Sequence, residues 1–158
     1  MIFCICIKSF LQTVKTKNRE VAFIKSINIK ESGGVPKIPV EKSFFGKERV
    51  RGDKQNDLKH HGGINRAVCL FSIEIIEALQ KEGHPIFPGS TGENLSIQGI
   101  DWSLMVSGRK LSIGETEIQL TNPAPPCKTI KDSFKEGEFN RISEKKNPGF
   151  SRWYARVI

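Results

Sequence analysis

Cys127 stands in "TNPAPPCKTI", Thr121 to Ile130, behind Pro123, Pro125 and Pro126 and directly before Lys128. Proline fixes φ and donates no backbone hydrogen bond, so the chain is stiff as it reaches the thiol. The neighbouring ammonium favours the thiolate, which is the form that attacks electrophiles and ligates thiophilic metals. Cys127 is therefore the candidate catalytic residue and the candidate metal ligand. Cys4, Cys6 and Cys69 lie in apolar runs and read as inert packing residues, the usual fate of a free cysteine.

Two further stretches concentrate groups that could hold a ligand. "RVRGDKQNDLKHHGGINRAV", Arg49 to Val68, gathers Arg51, Asp53, Gln55, Asp57, His60, His61 and Arg66 around Gly52, Gly62 and Gly63. Glycine admits close backbone approach, and arginine grips phosphate or carboxylate with two parallel hydrogen bonds. A calcium loop starting at Asp53 fails, because its sixth place is Leu58 and its twelfth Ile64, where glycine and glutamate are required. Zinc on His60 and His61 is also a poor fit, since adjacent strand residues face opposite ways and His84 stands apart. The bland reading makes one histidine a packing residue and the other a turn hydrogen-bonder. "PGSTGENL", Pro88 to Leu95, adds Gly92, Glu93 and Asn94 in a turn that could be no more than a tight loop. Neither nucleotide fingerprint, G-x-x-x-x-G-K-[ST] or G-x-G-x-x-G, occurs.

These stretches need elements to position them. "EVAFIKSINI" reads as a half-buried strand with Val21, Phe23, Ile27 and Ile29 on its inner side. "AVCLF" is a short buried strand, and "SIEIIEALQKEG" a helix capped by Ser72 and ended by Gly83. Strands are expected at "NLSI", "SLMV", "RKLSI" and "TEIQLT". "SRWYARVI" alternates, with Trp153, Ala155 and Val157 on one side and Tyr154 and Ile158 on the other. Many short strands and one clear helix predict a mainly β fold, a closed or partly closed barrel with a few helices.

Composition sets the bounds. The 158 residues suit one domain with a real core, and 37% hydrophobic with 27% charged residues is a globular balance. No apolar run approaches the roughly 20 residues of a membrane helix. The opening "MIFCICIKSFLQT" lacks a basic leader and a small-residue cleavage site, so a signal peptide is not expected. Residues 1–18 read as an N-terminal extension, either an edge strand or a frayed tail, ahead of one domain over 19–158. Four cysteines without a C-x-x-C pair predict a reduced, cytoplasmic setting. The formal charge of +8 favours anionic partners but is spread along the chain. Nucleic acid is an unfavoured partner, because the aromatics form no obvious stacking platform.

Together and in this order, "GGVPK", "GDKQNDLKHHGG", "INRAV", "TGENLSIQGID", "LSIG" and the "PPC" turn resemble a MOSC domain, the family named for the C-terminal domain of molybdenum-cofactor sulfurase. The resemblance spans about Val21 to Ile158. It implies a β-barrel like the barrel domain of pyruvate kinase. It also implies one of two activities: the molybdenum cofactor (molybdopterin) held with the cysteine on the metal, or sulfur carried as a persulfide on that cysteine. Some members reduce N-hydroxylated small molecules with electrons from a partner protein. By this resemblance Cys127 is the metal ligand or sulfur carrier. Lys37, Arg51, Gly52, Asp53, Gln55, His61, Gly62, Gly63, Arg66, Gly92, Glu93, Asn94, Asn122 and Lys128 are the expected cofactor-binding residues. The expected partners are an electron-donor protein, or a sulfur donor or acceptor, together with a small-molecule substrate. The sulfurase's other half, which carries pyridoxal phosphate, has no counterpart here, so no pyridoxal phosphate site is expected in this chain.

Two departures from the family pattern stand out. Many relatives read "PRxPC" where this chain has Ala124. If that arginine meets the pterin phosphate, Arg51, Lys128 or Arg66 must take its place. Relatives also continue beyond the last strand, so a missing closing strand would leave an exposed edge.

Overall fold

The computed structural model describes residues 13–15 and 21–158. Cys4, Cys6 and most of the N-terminal extension lie outside the described residues. Eight strands form one sheet in the order β1-β6-β7-β8-β4-β5-β2-β3, and an additional β1–β2 pairing closes seven of them into a barrel. They are β1 (Thr13–Lys15), β2 (Val21–Ile29), β3 (Ile38–Val40), β4 (Val68–Ser72), β5 (Leu95–Gln98), β6 (Lys110–Ile113), β7 (Thr116–Ala124) and β8 (Arg152–Val157). All pairings are antiparallel except β4 with β5. A parallel pair needs a crossover, and helix α2 (Ile73–Lys81) supplies it. Short helix α1 (Leu58–His61) and several 3-10 turns fill the loops. Strand β8 has neighbours on both sides, β4 and β7, so the exposed edge feared there is absent. No helix among the described residues is long and apolar enough to cross a membrane.

The inward residues of the strands make the core. Val14, Ala22, Ile24, Ile27, Leu70, Leu95, Ile97, Leu111, Ile118 and Ala155 are each at most 1% exposed. Each such Val, Leu or Ile side chain contributes about 1.5–3 kcal/mol by leaving water, and each alanine methyl less. Ile73, Ile76 and Leu79 of α2 pack on the same cluster. The Ser72 hydroxyl accepts from the Ile75 amide at 3.2 Å, as expected of an N-cap.

Two sequence expectations change. In β2 the inward set is Ala22, Ile24 and Ile27, while Val21 and Phe23 are 59% and 44% exposed. A register shift between Ile24 and Ser26 explains it: an extra residue, Lys25, flips the phase midway. Both parities of "VAFI" are apolar, so periodicity alone cannot choose the face. "SLMV" is no strand either. Trp102–Leu104 form a 3-10 turn whose first residue buries its indole and donates Nε1–H to the Ser151 carbonyl at 2.8 Å.

Candidate functional site

The outward faces of β4, β8 and β7 carry the site. Cys69 lies opposite Tyr154, and Ala124 opposite Arg152, in the ladder register. Cys69, Ala124 and Tyr154 form a small buried cluster separate from the barrel core. Strand alternation puts Arg152 on their side of β8. Above this floor is a cavity of about 630 Å³. Gly34, Val35 and Lys37 wall it on one side, and residues 54–57 with His60, His61 and Arg66 on another. Thr91, Gly92 and Asn94, then Asn122 and Pro125–Ile130, complete the wall. The three chemistry-bearing stretches of the sequence thus meet over one patch of barrel wall.

The "PPC" turn is set by a bulge. Leu120 pairs with Ala155 but Pro123 pairs with Trp153, so β7 carries one extra residue before Pro123. Proline has no N–H for the ladder, which makes a bulge the natural place for it. Asn122 beside it donates Nδ2–H to the Pro123 carbonyl at 2.9 Å and lines the cavity. Cys127 follows as a free, half-buried thiol on the cavity wall, at the head of a 3-10 turn over Lys128–Ser133.

The "TGEN" loop is braced from within. Glu93 is fully buried and accepts from the Gly89 amide (2.6 Å), the Thr91 hydroxyl (2.8 Å) and the Ser96 hydroxyl (3.2 Å). Asn94 exchanges hydrogen bonds with β4: its amide donates to the Cys69 carbonyl, and its Oδ1 accepts from the Cys69 amide. Its Nδ2 donates to the Asn28 carbonyl and to Asp53. Glu93 therefore holds the loop's shape and does not line the cavity, while Asn94 does both. Gly92 has φ +86°, and a Cβ there would press on Val35 at 3.0 Å, so glycine fits where the loop passes the opposite wall.

Asp53 is the hub of the second stretch. Only 4% exposed, it accepts from the Lys30 amide at 2.9 Å, from Asn94 Nδ2 at 3.0 Å and from Lys37 Nζ at 2.6 Å. Lys37 lines the cavity, but its charge is matched there. Gln55 donates to the Arg66 carbonyl at 3.0 Å, and Arg66 lies over the Tyr154 ring at 5.9 Å. His60 is an exposed cap partner of Asp57 at 2.8 Å. His61, half-buried, brings Nδ1 to 2.7 Å from the Tyr154 hydroxyl. Burial, followed by the Arg152 charge, lowers the His61 pKa, and burial raises that of Tyr154, so both are neutral near pH 7.

Several expected residues are not brought in. Arg51 stacks on Phe44 at 5.5 Å and does not line the cavity. Gly52, Gly62 and Gly63 shape turns but are not on the wall. Sequence reasoning missed Arg152, Tyr154, Lys54 and the cavity side of Cys69. Burial pushes the Cys69 thiol up to about 11, which agrees with its reading as an unreactive buried sulfur.

Comparison with known proteins accords with this geometry. The family model of the MOSC domain matches residues 57–158. The chain belongs to the MOSC domain family. The uncharacterized protein YflK of Bacillus subtilis is 28% identical over 127 residues, which are 79% of this chain and 57% of that protein. YiiM of Escherichia coli is 28% identical over 113 residues, covering 69% of this chain and 50% of its own. This chain spans about half the length of these curated relatives. In fold, the crystal structure of YiiM from Geobacillus stearothermophilus aligns with TM-score 0.64 at 23% identity, over 87% of this chain and 68% of that one. YuaD from Bacillus subtilis aligns with TM-score 0.64 at 15% identity, over 93% and 88%. Both show that the MOSC chain shares their barrel fold.

A molybdenum cofactor fits this MOSC cavity in kind. Besides Lys37, whose charge Asp53 matches, four cationic side chains, Lys54, Arg66, Lys128 and Arg152, line it against one carboxylate, Asp57. Its volume suits a cofactor-sized ligand. Among the described residues no group of three or more His, Cys, Asp or Glu side chains could hold a bare metal ion. Cys127 offers one sulfur ligand on the cavity wall.

Proposed function

We propose that this MOSC domain holds a molybdenum-pterin cofactor in the cavity, with the Cys127 thiolate on the metal, and serves the reduction of small N-hydroxylated compounds. The observation that carries the reading is the half-buried thiol of Cys127, beside the buried Cys69, on the wall of a cationic cavity. Such a cofactor, when bound, supplies a metal that passes electrons to a substrate. The chain's own residues do the rest. Lys54 and Lys128 are exposed at the cavity and draw an anionic ligand in. The stiff "PPC" turn fixes the sulfur, and the glycine of "TGEN" lets backbone approach the ligand. The 2.7 Å contact between the neutral His61 and Tyr154 keeps one proton at a defined place on the cavity wall. Electrons come from a partner protein.

Persulfide carriage on Cys127 is the second reading. It needs only an accessible thiol and a route for an acceptor, and the half-buried Cys127 offers the first. Elemental and sulfane-sulfur analysis of protein purified from a host that makes the cofactor separates the two. Near-stoichiometric molybdenum supports cofactor binding. Cyanide-labile sulfur without molybdenum supports carriage and overturns the leading reading.

A further inference from the structure

Two cations of the cavity are almost wholly buried, and the protein treats them differently. The Lys37 side chain is 10% exposed and faces a carboxylate, Asp53, at 2.6 Å. Arg152 is 5% exposed and pairs with no carboxylate among the described residues. One terminal nitrogen donates to the Thr91 carbonyl and the other to the Pro125 carbonyl at 3.4 Å, while Nε has no partner. Carbonyls satisfy hydrogen bonds but carry no full negative charge, and a buried guanidinium with no carboxylate in direct contact is costly. The buried carboxylate in the same loop as Thr91, Glu93, is taken up by the Gly89 amide and the Thr91 and Ser96 hydroxyls. The neighbouring groups it acts on, His61, Cys69 and Tyr154, are neutral at pH 7. Directly across the ladder is Ala124, which offers the guanidinium no charge or acceptor from its side chain.

We propose that Arg152 is the buried oxyanion anchor of this cavity, built to receive a phosphate-type group through its guanidinium. A planar guanidinium meets tetrahedral oxyanions through paired N–H donors, and Arg152 retains donors beyond the two given to carbonyls. Because those carbonyls belong to the "TGEN" loop and the "PPC" turn, an anion on Arg152 also ties together the two loops that frame Cys127. Arg152 thereby stands where relatives' arginine at the Ala124 position would be needed, on the partner strand instead of the same one. The role of Arg51 expected from sequence falls to a residue about a hundred positions later. The phosphate could be the pterin's own or a free phosphate monoester, and only the first case rests on the cofactor reading.

Calorimetric and thermal-shift titration of the purified chain with inorganic phosphate, at constant ionic strength against chloride, tests this. Phosphate is expected to bind near one per chain and raise Tm. Arg152→Gln and Arg152→Lys should each weaken binding about tenfold or more, since lysine keeps the charge but loses the fork. Lys54→Gln should weaken it less. If Arg152→Gln does not fold, Arg152→Lys is judged by the same criterion. A wild-type Tm insensitive to phosphate, or full phosphate affinity in Arg152→Lys, overturns the anchor and leaves Arg152 a loop brace. Phosphate binding lost in the Arg152 variants, in a protein that never carries molybdenum, would sustain the anchor and sink the cofactor reading. Molybdenum loading equal in wild type and Arg152→Lys, with phosphate binding reduced, would assign the anchor to free phosphate esters.

Discussion

Along β8, Trp153, Ala155 and Val157 point into the barrel core, while Arg152 and Tyr154 point outward onto the floor of the cavity. The same strand builds a dry apolar interior on one side and a charged, ligand-sized recess on the other. On β4 the division repeats, with Leu70 inward and Cys69 outward. Burial is similar on the two faces, since Arg152 and Trp153 are both 5% exposed. What differs is how polar groups are compensated. Inward residues need no partners, whereas outward ones are either paired inside the protein, as Lys37 is, or left with charge to spare, as Arg152 is. Apolar packing therefore resides on the inner face and chemistry on the outer, where matched pairs such as Lys37 with Asp53 add stability of their own.

The largest effect is expected where outer-face charge is matched by the protein itself. Asp53→Ala strands the buried Lys37 ammonium and removes the acceptor for Lys30 and Asn94, at a cost of about 3–5 kcal/mol. Denaturant unfolding measures it, and a loss under about 1 kcal/mol would mean that the pair is solvent-screened. On the inner face Leu70→Ala, from 0% exposure, should cost about 2–5 kcal/mol by opening a cavity. Its molybdenum or sulfur content per folded chain should stay as in the wild type. A selective loss of cofactor there would blur the two faces.

The two thiols sharpen the contrast. With its thiol pushed up to about 11, Cys69 is ionised to only about one part in a thousand at pH 8, so iodoacetamide should label Cys127 first. Peptide mapping over time reads the order. Equal rates would show that the outer face is open down to its floor.

A smaller effect belongs to His61. Its folded pKa lies below the ordinary value of 6.5, so the unfolded chain binds the proton first as pH falls. Stability should be retained above about pH 6.5 and decline below it, towards the folded pKa. His61→Gln should flatten that part of the profile, as urea midpoints across pH 5–8 would show. An unchanged slope would place the titration elsewhere.

Much of this was readable before the structure. Strands β4, β7 and β8 and helix α2 follow from short apolar runs, turn residues and the Ser72 cap, because local pattern and burial agree there. Three of the segments that wall the cavity were legible as stretches rich in polar groups with glycine or proline, while Gly34, Val35 and Lys37 wall it from a turn read only as a strand breaker and through the resemblance. Arg152 was not, since alternation in "SRWYARVI" draws attention to the apolar parity and gives no sign that the polar parity faces a cavity. The signal was present in Arg152 and Tyr154, two residues apart and hence on one face, but pairing with Ala124 across the ladder is a fact of register. Arg51, expected at the cavity, turns to Phe44 for the converse reason: proximity in sequence to Asp53 does not fix which side of a turn a long side chain takes. Cys69 was rightly read as buried, though on the other side of the wall from the core.

The central claim is that Cys127 on the outer face is what the cavity is built around. Molybdenum and cyanide-labile sulfur measured in wild type, Cys127→Ser and Cys69→Ser, all purified folded from a cofactor-making host, test it most directly. Wild type and Cys69→Ser should carry near-stoichiometric molybdenum, and Cys127→Ser almost none, because serine is a poor ligand for a thiophilic metal. A Cys127→Ser protein as fully loaded as the wild type would contradict the claim.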